Sequence, residues 1–421
     1  MVLSLKGYVY ELVEHTGSPL RKIFPDHVGT DLCVCPNSDI YLFTRLFLAE
    51  NCLIFGRIGD LMIGYSEFRT NLPCGLTASR YTTRAFLVDI DGNGRRPIAD
   101  ELTKNSNTWT QFAGWSPDGT IAIIGCGWES PENAEWEEEH KGFRMTEGYL
   151  YDMYLLEMAT GKLTNVTAVD RVSIYNAGLW FWPKNPDKLG FNPLINGIQH
   201  PFSMDIDGHN KNDLSEGVEG FTYGYSASPD GEKISYHKDY QVYIANADGS
   251  NSMLIETGNP FNFAPQWSPD GQWLLFVSGE HYDCHPHIVR KDGKDLHKIA
   301  DRQGYSGVMT TIDVYNFHGG SSDVPIWSKD GQWVYYTAKI GDSVEMMRVD
   351  LNGHIQQLTY SKPNVFNYHP TPSPDGKLLI IGSTRSGIRQ LYIMKPDGKD
   401  IYSITNVEQG YGAMHPHWQP R

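Results

Sequence analysis

A short turn motif that recurs along the chain constrains the fold more than any other feature. Its fullest form is Trp-Ser-Pro-Asp-Gly between two apolar stretches, within residues 265–278. Pro restricts φ and Gly tolerates positive φ, so the motif predicts a tight turn between two buried strands. Complete or degenerate copies begin at Trp115, Trp182, Ser228, Trp267, Trp327, Ser373 and His417. Repetition every ~45–50 residues indicates a radial repeat or an array, and the all-β form of a radial repeat is the β-propeller.

A second hairpin signal gives the number of repeats. Eight Gly-containing dipeptides begin at Thr16, Asp91, Thr160, Asp207, Asp248, Asp292, Asn352 and Asp397. Candidate inner strands also number eight, near residues 40–47, 112–116, 178–182, 223–228, 264–268, 324–328, 369–373 and 415–418. The first hairpin (8–24) has no inner strand before it, and the last inner strand has no hairpin after it. We therefore expect one all-β propeller domain over residues 1–421, with eight four-stranded blade positions.

The closure of this propeller follows from the same count. The N- and C-terminal strands are expected to share one blade, which removes exposed sheet edges. Seven blades is the alternative if a terminal segment packs outside the ring. Three insertions interrupt the period, at 60–81, 127–148 and 301–323. The second is acidic and predicts a short helix or lid, or a solvated face. Loops of this length are usually functional or disordered.

Charge and hydropathy exclude some classes of partner. The chain has 35 Lys and Arg against 50 Asp and Glu, for a formal net charge of −15. This argues against nucleic acid, although a local positive pocket can still take an anionic small substrate. No stretch approaches ~18 apolar residues, so we expect no membrane span. The sequence as given shows no signal peptide, which predicts a cytoplasmic protein, or a periplasmic or secreted one if a leader was removed.

Ionisable residues gather where the predicted loops open on one face of the propeller. The fourth-to-first and second-to-third connections share this face, because all the inner strands run the same way along the axis. Histidines fall there on consecutive blades, at His281, His285, His318, His369 and His415. Arg57, Arg385 and Arg389 lie in second-to-third loops of the same face. A single histidine on a strand is more often structural than functional, and the clustering is what points to a site.

The repeat resembles that of TolB-like propellers, in which Leu-Thr closes a blade. Two further regions are similar to oligogalacturonate lyases. One is Glu-His-Thr-Gly at 14–17 with the stretches at 41–44 and 53–57. The other is Asn-Tyr-His-Pro at 367–370 ahead of the turn at 373–376 and of 384–387. In those lyases the equivalent inner strand carries a Gln and two His that bind a divalent metal. Here His369 keeps a histidine, while Asn364 and Asn367 stand at the other places.

The resemblance implies a lyase that cleaves a uronic-acid-containing glycan, of the oligogalacturonate or rhamnosyl-glucuronate type, by β-elimination. That reaction removes a proton beside a carboxylate, whose charge must be neutralised as the enolate develops. The expected catalytic residues are His369 or His318 as base and Tyr315 as acid. Substrate binding is assigned to Arg45, Arg385, Asn367, Tyr223 and Trp109. A divalent metal (Mn, Ca or Zn) would take His285, His287 and His415 as ligands, and no organic cofactor is expected.

Two other functions remain open at this stage. A non-catalytic propeller would bind a glycan or a protein partner without changing it. A glycoside hydrolase would need two carboxylates at the separation that hydrolysis requires. Asp313, Asp323 and Glu280 are the candidates for such a pair.

Overall fold

The structure is a computed structural model that describes residues 2–5, 8–11, 61–72, 80–140, 148–169, 178–195, 198–215, 222–307 and 323–420. The chain divides into two compact units, Met1–Arg57 and Ile58–Arg421. In the first unit, Val2–Leu5 pairs with Tyr8–Glu11 as an antiparallel hairpin. The repeats that the structure describes lie in the second unit, and one domain over residues 1–421 stays a prediction.

Seven antiparallel four-stranded sheets make up the described part of the second unit, and we number them as blades 1 to 7 in chain order. Blade 1 comprises Tyr411–Trp418, Met62–Arg69, Arg84–Asp89 and Arg96–Pro97; blade 2, Thr108–Trp115, Ile121–Glu129, Tyr149–Glu157 and Leu163–Asn165; blade 3, Leu179–Trp182, Asn185–Phe191, Phe202–Asp205 and Asn212–Asp213; blade 4, Thr222–Ala227, Lys233–Lys238, Gln241–Asn246 and Met253–Leu254. Blade 5 comprises Phe261–Trp267, Trp273–Glu280, Asp283–Arg290 and His297–Lys298; blade 6, Ile326–Trp327, Trp333–Ile340, Ser343–Asp350 and Ile355–Gln357; blade 7, Asn367–Pro372, Leu379–Ser383, Gln390–Met394 and Tyr402–Ser403.

Elements other than the strands of the seven sheets are short. Leu194–Ile195 pairs with Ile198–Gln199 as a small hairpin within blade 3. A 3-10 helix spans Asp100–Thr103, and the α-helix Pro131–His140, α1, occupies the acidic insertion as expected. In the predicted insertion 60–81, by contrast, Met62–Arg69 is the second strand of blade 1.

The blade count of eight is wrong, and the alternative of seven is confirmed. The strand Tyr411–Trp418 does close the ring, but its partner is Met62–Arg69 rather than the hairpin predicted at 8–24. Of that hairpin, Tyr8–Glu11 pairs within the first unit. The predicted inner strand at 40–47 lies outside the described residues. Two indole N–H groups bond across the closure, from Trp418 to the Thr371 carbonyl of blade 7 (2.8 Å) and from Trp115 to the His417 carbonyl (3.2 Å).

The Ser-Pro-Asp-Gly turn works as a small hydrogen-bonded unit. In blade 5 the Ser268 hydroxyl donates to Asp270 Oδ1 at 2.5 Å and accepts from the Trp273 N–H at 2.9 Å. Gly271 lies at φ 66°, where a side chain would be strained. The same pairing recurs at Ser116, Ser228, Ser328 and Ser373. The motif that dominates the sequence is therefore a structural feature of the blades.

The apolar-Thr pair that ends a blade has an equally definite role. Thr359 follows the fourth strand of blade 6, accepts from the Met346 N–H at 2.9 Å and donates to the Glu345 carboxylate at 2.5 Å. Thr167 and Thr405 bond the third strands of blades 2 and 7 in the same way. Each of these Thr side chains is buried. The pair thus ties the exit of the fourth strand back to the third strand.

A buried ion-pair cluster attaches helix α1 to blade 2. The Arg80 guanidinium contacts Glu129 at 2.5 Å and Glu137 of the helix at 2.8 Å. Glu129 also accepts from the Asn133 amide at 2.5 Å. The Arg80 guanidinium lies over the Trp109 ring, 5.6 Å from its centroid, and both carboxylates are almost fully buried. One cation therefore serves two buried carboxylates.

Glycines in the second hairpin set the spacing between blades. Gly249 of blade 4 lies at φ 88°, and its Cα faces the Leu214 carbonyl at the end of blade 3. Gly208 and Gly398 meet the carbonyls of Val166 and Leu358 in the same way. Gly353 of blade 6 has φ 83° but open space where a side chain would stand.

This contrast gives a matched stability test. Gly353→Ala carries only the cost of a left-handed residue, about 1 kcal/mol. Gly249→Ala carries the same cost, and its methyl group also collides with the Leu214 carbonyl, which adds about 1–3 kcal/mol. We expect a lower denaturant midpoint for Gly249→Ala than for Gly353→Ala in urea unfolding. Equal midpoints would show that blades 3 and 4 accommodate the added methyl group with no loss of stability.

Candidate functional site

Two histidines occupy bulges in the first strands of neighbouring blades. The register shifts between Tyr368 and Thr371 in blade 7, and His369 within this bulge has φ 49°. His415 of blade 1 has φ 53° and, like His369, stands immediately before a proline. Positive φ is uncommon for a residue other than glycine, and a bulge re-aims the side chain that it carries. The equivalent bulge of blade 5 carries buried Ala264 at φ 52°, so the bulge belongs to the repeat, and the histidine side chains are what distinguish blades 7 and 1.

The two imidazoles stack at the centre of the ring of blades. Their centroids are 4.6 Å apart with an interplanar angle of 28°. His369 Nδ1 is buried and has no hydrogen-bond partner among the described residues. His369 is half-buried, whereas His415 is exposed. In a propeller the first strands line the central channel, so this pair marks the channel near the face where the fourth-to-first connections open.

Both imidazoles are held neutral. Burial, with the nearby Arg389 and His417, lowers the pKa of His369 to about 4. Burial and then His369 lower the pKa of His415, although Asp323 acts in the opposite sense. A second proton in the stack would be repelled by the first. Near neutral pH the pair therefore offers ring nitrogens that can accept a proton.

A buried carboxyl group supports the pair from blade 6. Asp323 is 4% exposed, and its Oδ1 accepts from the His369 backbone N–H at 2.7 Å. Its Oδ2 accepts from the hydroxyls of Thr337 at 2.8 Å and Tyr305 at 3.1 Å. Burial raises the pKa of Asp323, while the guanidinium of buried Arg302 opposes that shift. Both carboxylate oxygens are thus used to fix the bulge that carries His369.

A positive charge completes the arrangement. The Arg389 guanidinium lies over the Tyr368 ring, 5.3 Å from its centroid, on the residue next to His369. It is half-buried and contributes to the lowered pKa of His369. We call Asp323, His369, Arg389 and His415 the channel cluster. It combines a neutral imidazole pair with a cation and a carboxylate that is already bonded.

A pocket of about 180 Å³ lies at the second-to-third turn of blade 6, and none of the four channel-cluster residues lines it. Tyr305, whose hydroxyl bonds Asp323, forms part of its wall together with Phe366. Lys339 and Asp342 bring opposite charges to its rim. Its link to the channel cluster is the hydrogen bond from the Tyr305 hydroxyl to Asp323.

Asn367 and Arg385 lie together, but in the joint between blades 6 and 7. The Asn367 amide is fully buried and donates to the Val344 carbonyl at 2.9 Å and to Glu345 at 3.2 Å. Arg385 donates to Asn367 Oδ1 at 3.1 Å and is half-buried. Asn262 is buried at the same place in blade 5, so this position serves packing in two blades. Substrate binding by Asn367 and Arg385 stays a prediction.

The predicted metal ligands do not come together. His285 and His287 lie on the third strand of blade 5, whereas His415 lies on the first strand of blade 1. His285 Nδ1 accepts from the Arg302 N–H at 3.2 Å, and His287 contacts the His285 carbonyl at 2.9 Å. In the described ranges no group of three or more His, Cys, Asp and Glu side chains is placed to hold a metal ion. These residues therefore do not fit the divalent metal that the resemblance implied.

The remaining predicted residues lie elsewhere or outside the description. Trp109 is 2% exposed and packs against Tyr149 and Tyr151 in blade 2, which is a core position. Tyr223 lies in the first strand of blade 4. Arg45, Tyr315 and His318 lie outside the described residues.

A second sequence pattern, just before the turn motif, marks the positions of the two histidines of the channel cluster. A residue followed by Pro recurs three residues before the Trp of blades 5, 6 and 1, as Ala264, Val324 and His415. In blade 7 His369 has this place, with Pro372 standing where the Trp would be. Asp323 stands where blade 5 has the core residue Phe263. Nothing local in the sequence marks Arg302 or Tyr305.

The fold and the cluster define a seven-bladed propeller with a polar site in its channel. Residues 237–421 match the family model of the TolB beta propeller domain, which confirms the predicted TolB-like repeat. Among solved structures, the chain is similar to an oligogalacturonate lyase in complex with manganese, at 14% identity over 84% of this chain and 88% of that chain, with a TM-score of 0.53.

Two other solved structures show the same architecture. An oligogalacturonate lyase from Vibrio parahaemolyticus has 12% identity, covers 84% of this chain and 89% of its own, and has a TM-score of 0.51. The beta-propeller domain of the Trilobed protease from Pyrococcus furiosus has 15% identity, with 83% and 93% covered and a TM-score of 0.50. At these identities the likeness establishes the fold alone.

Similarity to curated proteins is partial. An uncharacterized protein of Agrobacterium fabrum is 24% identical over 47% of this chain and 66% of its own length. The uncharacterized peptidase YuxL of Bacillus subtilis is 24% identical over 44% and 26%, and TolB of Hydrogenovibrio crunogenus is 37% identical over 17% and 16%. The chain thus spans less than two thirds of each of these relatives. Across the described residues, none of the helices is long and apolar enough to cross a membrane.

Proposed function

We propose that this protein binds a uronic-acid-containing oligosaccharide at the mouth of the channel and cleaves it by β-elimination. The observation that carries the proposal is the neutral stacked pair His369–His415 beside the Arg389 cation. A neutral imidazole can take a proton, and a cation can hold the carboxylate next to the carbon that loses it. The similarity in fold to oligogalacturonate lyases is consistent with this chemistry.

The reaction assigns each residue a step. His369 takes the proton from the carbon beside the uronate carboxylate, and the C–H electron pair forms the new carbon–carbon double bond. The bond from the neighbouring carbon to the leaving glycosidic oxygen breaks, and that oxygen takes a proton from water. The His369 imidazolium returns its proton to the hydroxide that remains, and the product is an unsaturated uronate. Arg389 stabilises the negative charge that develops on the carboxylate. A bound carboxylate also raises the pKa of His369, which makes it a stronger base in the complex.

The hydrolase alternative is less well supported. Hydrolysis needs two carboxyl groups that face the scissile bond. Asp323 is the carboxyl group of the channel cluster, and both of its oxygens already accept hydrogen bonds, from His369 on one side and from Thr337 and Tyr305 on the other. Its role in our proposal is to position His369. Of the other two candidates, Glu280 ends the second strand of blade 5, and Asp313 lies outside the described residues.

The test is ultraviolet absorbance during incubation with oligogalacturonate, rhamnosyl-glucuronate, glucuronan and ulvan, with and without a chelator. We expect absorbance of the unsaturated uronate to grow on one member of this panel. If the chelator abolishes this increase in absorbance, the reaction requires a divalent ion. New reducing ends without an increase in absorbance would show that the protein is a hydrolase and not a lyase. Binding without either product would leave a glycan-binding propeller.

A further inference from the structure

At two joints between blades, an uncharged side chain of one blade accepts a hydrogen bond from the backbone of the next. Where blade 1 meets blade 2, the Ser66 hydroxyl accepts from the Phe112 N–H at 3.1 Å. Where blade 4 meets blade 5, His237 Nδ1 accepts from the Ala264 N–H at 3.4 Å. Phe112 and Ala264 stand three residues before the Trp of the turn motif, which is the place that His369 has in blade 7. An uncharged acceptor therefore suffices to hold this backbone N–H.

The joint between blades 6 and 7 has such an acceptor available and uses a carboxylate instead. Ser66, His237 and Thr337 occupy the same place in their second strands, three residues after the one that pairs with the end of the first strand. The Thr337 hydroxyl thus stands where Ser66 accepts. The His369 N–H nevertheless donates to Asp323 Oδ1 at 2.7 Å, and the Thr337 hydroxyl donates to Asp323 Oδ2 at 2.8 Å. Asp323 is therefore inserted between two groups that could bond directly.

The packing of this joint does not account for the charge of Asp323. The residue is 4% exposed, and burial of a carboxylate costs free energy that a hydroxyl at the same joint would not. The guanidinium of buried Arg302 offsets part of this cost. Its bonds to this group are 3.4 Å long and go to the Thr337 hydroxyl and to the backbone carbonyls of Thr337 and Asp323. The negative charge thus calls for a role other than holding the backbone.

The hydrogen bonds around Asp323 match an ionised carboxyl group. Its two oxygens accept from three donors, which are the His369 N–H and the hydroxyls of Thr337 and Tyr305. The Thr337 oxygen itself accepts from Arg302, so its proton is directed at Asp323. An ionised carboxyl group only accepts hydrogen bonds, and such bonds favour its charged form. Burial raises the pKa of Asp323, while Arg302 and the three donors act against that shift.

We infer that Asp323 supplies a fixed negative charge that stabilises the imidazolium formed when the His369–His415 pair takes a proton. The inference rests on the proposed function, in which Arg389 binds the substrate carboxylate. Arg389 and His417 lower the pKa of His369, whereas Asp323 acts to raise the pKa of His415. Because Asp323 is buried, water and salt screen its charge less than that of a surface carboxylate. Asp323 is thus a positioning residue that acts through the two imidazoles.

The test separates the charge of Asp323 from its hydrogen bonds. Asp323→Asn keeps an oxygen that can accept from the His369 N–H, but it carries no charge. Asp323→Ser is a second uncharged variant, which offers that N–H a hydroxyl as Ser66 does at its own joint. Thr337→Val is the matched control, because it removes a hydrogen bond from the same carboxylate and keeps the charge. Urea unfolding shows whether each variant keeps the fold.

Two measurements read the effect, one with substrate and one without. Initial rates of ultraviolet absorbance give kcat and KM, and NMR titration follows the imidazoles, assigned from spectra of His369→Asn and His415→Asn. We expect both uncharged variants to lower kcat about tenfold with KM unchanged. We also expect a lower pKa of the imidazole pair and a shift of the acid limb of kcat/KM to lower pH, since the imidazolium loses a favourable charge. Thr337→Val should keep kcat within about twofold of the parent.

The outcomes separate this inference from the proposed function. Unchanged imidazole pKa values in both uncharged variants would overturn it, whether or not the parent cleaves any glycan. An equal loss of kcat in Thr337→Val would overturn it as well, because hydrogen bonding would then explain the effect. If both uncharged variants fail to fold while Thr337→Val folds, the charge serves folding and the inference is wrong. Lower imidazole pKa values without unsaturated product from the parent would support the role of the charge and reject the lyase.

Discussion

Replacement of His369 by Asn is expected to lower kcat for uronate cleavage by about 10²- to 10⁴-fold, the usual contribution of a general base. Asn suits this position because it tolerates the φ of 49° that the bulge imposes. The bulge, its bond to Asp323 and the first strand of blade 7 are therefore retained, while the group that accepts the proton is lost. Initial rates of ultraviolet absorbance on the cleaved substrate measure the effect.

The control for this prediction is His354→Asn. His354 is an exposed histidine on the hairpin after the third strand of blade 6, where it pairs with Asp350 at 2.9 Å. We expect it to keep the parent rate. The parent should also show kcat/KM falling with acid as pH drops through about 4, because His369 must be neutral to act as base and protonation removes it. Full activity of His369→Asn would transfer the base role to another residue.

The second large effect is on stability. Arg80→Met is expected to lower the free energy of unfolding by about 3–5 kcal/mol, because it removes the Arg80 cation from its contacts with two buried carboxylates. Glu129 and Glu137 both contact the Arg80 guanidinium, and Met fills much of its volume without its charge. Denaturant unfolding at neutral pH measures the difference. Lys162→Met is the control, since its pair with Glu157 is exposed and such pairs contribute about 0–1 kcal/mol.

The pH dependence of the same cluster has a definite sign. Burial raises the pKa of Glu129 from 4.5 to about 7, while Arg80 opposes the shift and Glu137 adds to it. Between those values the folded protein keeps a proton that the unfolded chain has lost, so this group lowers the free energy of unfolding as pH rises through that window. Glu129→Gln should remove this slope, measured as unfolding midpoints across pH. An unchanged slope, or Arg80→Met no less stable than Lys162→Met, would contradict the role assigned to the cluster.

The fold was predictable because its main signals are local. Ser268, Asp270 and Gly271 form their turn by contacts within six residues, and each copy of the motif repeats them. The Gly pairs mark hairpins for the same reason. The number of blades could not be predicted in this way, because it depends on contacts between distant parts of the chain. Which strand pairs with Tyr411–Trp418 depends on contacts across more than three hundred positions, and the hairpin at 8–24 carries turn signals as good as those inside the ring.

Only the histidines of the site were predictable, because they recur at the same end of neighbouring blades. His369 and His415 could be placed on neighbouring blades by counting repeats, and they do meet. Asn367 was assigned to substrate because it stands two residues from His369, but the bulge between them breaks the alternation that would put both side chains on one face. His285 and His287 lie on a third strand, away from the channel axis. Asp323 and Arg302 act through burial, which no pattern in the sequence records.

The strand Tyr411–Trp418 both closes the ring of blades and carries a residue of the candidate site. It completes blade 1, through bonds to Met62–Arg69 on one side and to blades 7 and 2 on the others, and it also carries His415. A chain in which this strand has not yet docked lacks the stacked pair, whatever the state of the other six blades. Under the proposed function, a ring that has not closed would lack the paired imidazoles and would be inactive. A titration of activity against denaturant would report the undocking of that one strand ahead of global unfolding.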